Sequence, residues 1–172
     1  MLIYLNKRDC QLAWAEALRV RARHVKPNTV LYSQRFQDAD EAEYVGYLGE
    51  VAVAKAFGVQ YQMVRSYGLN QPDLRIGSLR IQVKSSARVR PRLMVPYDRS
   101  QHCDVFVLVA GVDGTNRQNN TVRLVGWISR SAALDAKYLT DVPWNAMRHY
   151  VVPTADLHPM ESLLEDAHHE AE

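Results

Sequence analysis

The chain has 172 residues, 47% hydrophobic and 23% charged, values of a globular protein long enough for one domain built on a single core. No run approaches the ~20 apolar residues that span a bilayer, and two cysteines, Cys10 and Cys103, are too few for a disulfide framework and lack metal-ligand spacing. A formal net charge of +2 and a pI of about 8.6 are too mildly basic to point to nucleic acid by themselves. Residues Met1 to Arg8 lack the charged-then-apolar order of a secretory signal. The expected setting is therefore reducing and cytoplasmic, with no membrane partner.

In chain order, Asp9 to about Val25 reads as an amphipathic helix. Ala13, Trp14, Ala17, Leu18 and Arg21 share one side, Glu16, Arg19 and Arg23 lie elsewhere, and Lys26-Pro27-Asn28 stops it. After an irregular stretch at 28–37, a second helix begins near Asp38 or Asp40 and runs to about Phe57, with acidic residues in its first turn and Gly58 suited to C′. Gly46 and Gly49 inside it each cost about 1 kcal/mol relative to alanine. Either they let the helix lie close against a sheet and bring Glu50 to a site, or they mark ordinary close packing with Glu50 in solvent. Glu43 lies two turns before Glu50 on the same face. Gln60 to Val64 reads as a strand.

The segment from Gln71 to Lys84 reads as a β-hairpin, because apolar and polar residues alternate on both sides of Gly77-Ser78 and a Gly-X pair suits a type II′ turn. That turn pairs Ile76 with Leu79, Leu74 with Ile81 and Pro72 with Val83, and sets Arg75 opposite Arg80 and Asp73 opposite Gln82. Side chains alternate along a strand. Asp73, Arg75, Arg80, Gln82 and Lys84 therefore share one face, and Leu74, Ile76, Leu79, Ile81 and Val83 the other. Opposed Cβ atoms lie about 4.5–5.5 Å apart, so Asp73 and Gln82 are close enough to share one metal ion.

Downstream, Pro91 and Pro96 argue against a long helix in 85–101. Cys103 to Gly111 has the continuous apolar run of a strand buried on both faces. A polar turn at 113–120 leads to a strand over Thr121 to Ile128, then through Ser129 to a helix around Ala132-Ala133-Leu134. Residues 135–153 are mixed, with Trp144 and Tyr150 packing, and Met160 to Ala167 forms a terminal helix.

Pro72-Asp73 followed by Gln82-Val83-Lys84, preceded by Gly46-Tyr47-Leu48-Gly49-Glu50, resembles the PD-(D/E)XK nuclease superfamily, with Gln82 in place of the usual acid. The resemblance covers roughly residues 40–130. It implies an α/β fold, a mixed central β-sheet flanked by helices with a restriction-endonuclease-like αβββαβ core, here over roughly 40–135 of a single nuclease domain. It also implies a Mg²⁺-dependent phosphodiesterase, with Mn²⁺ able to substitute. Asp73 would be the central metal ligand, the Gln82 side chain and the Val83 backbone carbonyl would add neutral oxygens, and Glu50 would contribute directly or through water. Lys84 would orient the attacking water or stabilise the pentacovalent phosphate. An amide at Gln82 removes one negative charge and leaves one good ligand oxygen, which weakens metal binding.

From Arg75 to Arg99 seven cations, Arg75, Arg80, Lys84, Arg88, Arg90, Arg92 and Arg99, face only Asp98. Such a stretch suits a polyanion, so Arg75, Arg80, Arg88, Arg90 and Arg92 are candidate DNA contacts, with Ser85 and Ser86 as further phosphate contacts. The bland alternative is a solvated loop. Tyr97 and Gln101 stand four apart in this connection, and the six histidines form no helical pair at metal spacing. The leading expectation is a DNA endonuclease of phage, mobile-element, restriction or repair type. Its alternatives are a structure-selective Holliday-junction resolvase, which needs a homodimer to place two sites, and a nucleic-acid-binding module that no longer cuts.

Overall fold

The computed structural model describes residues 1–23, 39–61, 71–97, 102–141 and 148–169. The expected strand at Gln60 to Val64 falls largely outside them, as do Trp144 and Gln101. A five-stranded mixed sheet has the order β1-β6-β5-β3-β2, formed by β1 (Leu2–Leu5), β2 (Leu74–Ile76), β3 (Leu79–Ser86), β5 (Val105–Ala110) and β6 (Asn120–Ser129). β3 and β5 run parallel, and the other pairs are antiparallel. The chain between β3 and β5 passes through β4 (Leu93–Pro96). This strand joins β8 (Arg148–Val152) and β7 (Leu139–Asp141) in a second, antiparallel sheet of order β4-β8-β7. The architecture is thus α/β, with a mixed central sheet and flanking helices.

Helices α1 (Lys7–Arg23) and α2 (Ala39–Ala56) cover one face of the large sheet. Asn6 caps α1: its Oδ1 accepts from the Arg8 and Asp9 N–H groups at 2.9 and 3.1 Å, while its own N–H donates to Asp9 Oδ2 at 3.0 Å. This reciprocal pair satisfies orphan donors of the first turn. The buried side of α1 differs from the sequence expectation. Cys10, Ala13, Glu16 and Ala17 are inside, whereas Leu18 is exposed. Burying Glu16 is tolerable because Arg19, one turn on, donates to it from Nε at 2.7 Å, and a buried charge needs such a partner.

α2 ends in a Schellman motif. Gly58, at φ +66°, donates to Lys55 O at 3.1 Å, and Val59 N–H reaches Ala54 O at 3.0 Å. The last turn carries Lys55, which pairs with Asp9 of α1 at 2.6 Å. Short helix α3 (Arg130–Ala133) starts at Ser129, whose Oγ accepts from Ala132 N–H, and α4 (Met160–His169) adds Met160 and Leu163 to the main core. Among the described residues no helix is long and apolar enough to cross a membrane.

β5 is the spine of the molecule, since all six of its residues are buried. Val105, Val107 and Val109 point into the core under α2, alongside Ile81, Val83, Val122 and Leu124. Phe106 and Leu108 point the other way, into a second core with Leu93, Val95, Ile128, Tyr138 and Val152. At about 1.5–3 kcal/mol for each fully buried large aliphatic or aromatic side chain, both faces of β5 contribute, which explains the unbroken apolar run.

The close approach of α2 to β3 rests on Gly49. A Cβ there would fall 1.8 Å from Ser85 Oγ, 3.0 Å from Ser85 Cβ and 3.4 Å from Val83 Cγ1, whereas a Cβ on Gly46 would meet nothing within 4 Å. The expectation that both glycines permit the approach therefore holds sterically for one. Gly49→Ala should cost about 1–3 kcal/mol through overpacking, and Gly46→Ala should gain up to about 1 kcal/mol from helix propensity. Urea melts of the two variants check this, and equal effects would contradict the packing described.

Candidate active site

The hairpin closes at Gly77, whose φ is +57°, and among the described residues no non-glycine residue, Ser78 included, has positive φ. That sign pattern is the one a type II′ turn requires. The register is the expected one: Ile76 opposite Leu79, Arg75 opposite Arg80, Leu74 opposite Ile81. Ladder pairing stops at Leu74. Continued by one more bonded pair it would set Pro72 opposite Val83, and proline has no N–H to give. The Asp73 side chain takes over at this point. Its Oδ2 accepts from the Val83 N–H at 2.8 Å and from Gln82 Nε2.

Gln82 and Lys84 lie on the same face of β3, both half-buried. Their partners on β5 are Phe106 and Leu108, so this face belongs to the side of the sheet opposite α2. Cys103, buried beside it, reports the local charges. Its thiol is pushed up to about 11, mainly by burial; Arg130 and Lys84 pull it down, while Asp104 and Asp73 push it up. Asp73, Lys84 and Arg130 therefore each act on the same thiol. No sequence signal marks Arg130. It belongs to no motif, and it arrives here because its N–H bonds Asp104 O at 2.8 Å where β6 runs into α3.

Glu50 is buried, 7% exposed, and its Oε2 accepts from Tyr61 Oη at 2.8 Å. It stands on α2, across the sheet from Gln82 and Lys84. β2 flanks β3 only as far as Ile81, so the edge of β3 beyond Gln82 is where the two sides of the sheet can meet.

The candidate DNA contacts separate into two groups. Arg80 is bound to Asp104, with Nη2 to Oδ1 at 2.6 Å, Nε to Oδ2 at 3.1 Å and its backbone N–H to Oδ2 at 2.8 Å. Those hydrogen bonds hold the Asp104 carboxyl below its ordinary value against the opposing effect of burial. Ser85 faces α2, where its Oγ donates to Gly46 O at 3.4 Å, and Ser86 Oγ accepts from Arg88 N–H at 3.1 Å. Arg75, Arg88, Arg90 and Arg92 are exposed, with Pro91 and Leu93 buried between and after the last two. Tyr97 is exposed and stacks on Tyr150 with ring centroids 5.9 Å apart. Glu43 is exposed on α2.

Among the described residues no three His, Cys, Asp or Glu side chains group closely enough to hold a metal. The set brought together is a carboxylate, an amide and the Val83 backbone, all able to present oxygen. That donor type fits a hard divalent ion, which keeps several waters and needs one or two carboxylates. The Gln82 amide turns its nitrogen to Asp73, and a flip of that group would turn its oxygen there instead. Comparison of the chain with protein-family models, with curated proteins and with solved structures gave no match.

Gln82→Glu tests this geometry directly. The change removes the donor to Asp73 and puts a second carboxylate against it, so at least one pKa must rise. Without metal the variant should melt below the parent near neutral pH, and the gap should narrow as acid protonates the pair. With Mg²⁺ its gain in Tm should exceed the parent's. Equal and negligible Mg²⁺ shifts in both proteins would mean that no ion binds between these residues.

Proposed function

We propose that this chain is a metal-dependent deoxyribonuclease that hydrolyses phosphodiester bonds as an endonuclease at the face carrying Asp73, Gln82 and Lys84. The observation that supports it is the Asp73 carboxylate, held at the end of the β2–β3 ladder by the Val83 N–H, beside Gln82. Lys84 lies two residues further along the same face. A phosphodiester anion repels nucleophiles and parts poorly with its leaving oxygen; a bound divalent ion supplies an activated water and neutralises the charge that builds up. Asp73, the Gln82 carbonyl and the Val83 carbonyl would hold that ion, with Glu50 completing the set from α2 across the edge of β3 that β2 leaves uncovered. Lys84 presents an ammonium to the attacking water or to the phosphate oxygens, where a fixed cation stabilises charge that develops only in the transition state. The half-buried position of Lys84 removes competing water and strengthens that effect.

A second reading is a nucleic-acid-binding module that does not cut. It is favoured by the Gln82 amide, which satisfies Asp73 without any ion. Cleavage of supercoiled plasmid with Mg²⁺ or Mn²⁺ separates the two, and four-way junctions set against linear duplex test for a resolvase. Asp73→Ala should abolish cutting with the fold kept, at a stability cost of about 1–3 kcal/mol because the Val83 N–H loses its acceptor. Lys84→Ala should lose most turnover yet retain metal binding by calorimetry. Undiminished cutting by Asp73→Ala would remove the site from this face.

The exposed cations Arg88, Arg90 and Arg92 should meet phosphate regardless of sequence. Changing all three to alanine should weaken binding uniformly and flatten the salt dependence. On duplex DNA the log–log slope should fall by about 0.9 for each phosphate that is no longer neutralised. An unchanged slope would leave these residues as a solvated arm.

A further inference from the structure

Resting on the nuclease reading above, we infer that Tyr61 is a positioning residue for Glu50, fixing the carboxylate that α2 lends to the metal. A chain reversal brings Tyr61 back to Glu50. Glu50 lies two turns before the end of α2, so a residue beyond the helix can meet it only if the chain doubles back. The Schellman turn at Gly58 does this: with Gly58 at φ +66° and Val59 N–H bound to Ala54 O at 3.0 Å, the following residues return along the helix. Tyr61 enters the main core, 7% exposed, in the cluster that also holds Tyr47 and Phe57. Its Oη then donates to Glu50 Oε2 at 2.8 Å.

A carboxylate as buried as Glu50 must be hydrogen-bonded, and a bond to one of its oxygens fixes the rotation of the group. Metal ligands depend on such outer partners for orientation. Nearby on α1, Arg19 is ion-paired with the fully buried Glu16; that bond is the main reason its guanidinium is held above its ordinary value, with small contributions from Tyr47 and Tyr61.

The test uses the full chain and Mn²⁺ as the probe. Parent, Tyr61→Phe, Glu50→Gln and the double variant are each titrated with Mn²⁺ by calorimetry, melted without metal, and assayed for plasmid nicking across Mn²⁺ concentration. Tyr61→Phe should bind Mn²⁺ about tenfold more weakly. Half-maximal nicking should move to about tenfold higher Mn²⁺, with the rate at saturation within about twofold of the parent. On the Glu50→Gln background the same change should leave Mn²⁺ affinity unaltered, because the carboxylate it positions is gone. A purely structural tyrosine would lower the melting temperature and leave the Mn²⁺ affinity of the folded protein unchanged; that result, in a parent that binds Mn²⁺ and cuts, overturns the inference alone. An equal loss of affinity on both backgrounds also overturns it. A parent that takes up no Mn²⁺ overturns the nuclease reading and the inference with it.

Discussion

Everything at the candidate site depends on the register of one hairpin. Side chains alternate across a sheet, so a slip of one residue in the β2–β3 pairing would send Gln82 and Lys84 under α2 and bring Ile81 and Val83 to the other side. Two independent constraints prevent it. The first is local: Gly77 adopts a positive φ that closes the turn at one position only. The second is global. Ile81 and Val83 are packed in the core beneath α2, and burying Gln82 and Lys84 there instead would leave polar groups without partners. The turn and the core agree on the register, and the Asp73 to Val83 N–H bond ends the ladder at the carboxylate of the candidate site.

The same strand explains why the site lies at an edge. β3 is flanked by β5 along six residues but by β2 along only three. Pro72 stops the ladder for want of an N–H, and the rest of β3 runs on without β2. Gly49 brings α2 within van der Waals distance of Val83 and Ser85 from one side. The second sheet seals Phe106 and Leu108 from the other. Asp73, Gln82 and Lys84 remain half-buried between these two cores, with polar reach and limited water. A strand embedded along its whole length would have no open backbone to offer, and one free on both sides would hold nothing still.

What can be read in the sequence follows the range of the interactions. The hairpin register, the buried strand at β5, the C′ glycine of α2 and the serine start of α3 are fixed by neighbours a few residues apart, and each appears where its local signal puts it. β1 gives no such signal. Leu-Ile-Tyr-Leu is apolar throughout, yet Leu2 and Tyr4 are exposed, because an edge strand is held by pairing with β6 rather than by its own pattern. The second sheet is hidden for a related reason. β4 sits in a proline- and arginine-rich connection, and its partners β7 and β8 come about fifty residues later. Glu16 reads as an outward residue because charge normally is; its burial needs Arg19, and only the packed α1–α2 pair shows it. At the site, the Asp73–Gln82 pair is legible from the turn alone. The Tyr61–Glu50 bond is not, although Gly58 at the helix end announces that the chain turns back.

The amide at position 82 can be understood as a matter of charge in the absence of an ion. Two opposed carboxylates at cross-strand distance repel, and they lower stability near neutral pH unless a cation or a shared proton lies between them. Gln82 instead donates to Asp73, as does the Val83 N–H. The cost on the proposed reading falls on metal affinity, since one anionic ligand is missing and the amide must turn its oxygen inward before it can coordinate. On the proposed reading, such a site is well formed when empty and fills only when divalent ion is abundant. The second carboxylate then has to come from elsewhere in the fold, and Glu50, buried on α2 and held by Tyr61, is the acid whose placement is already provided for.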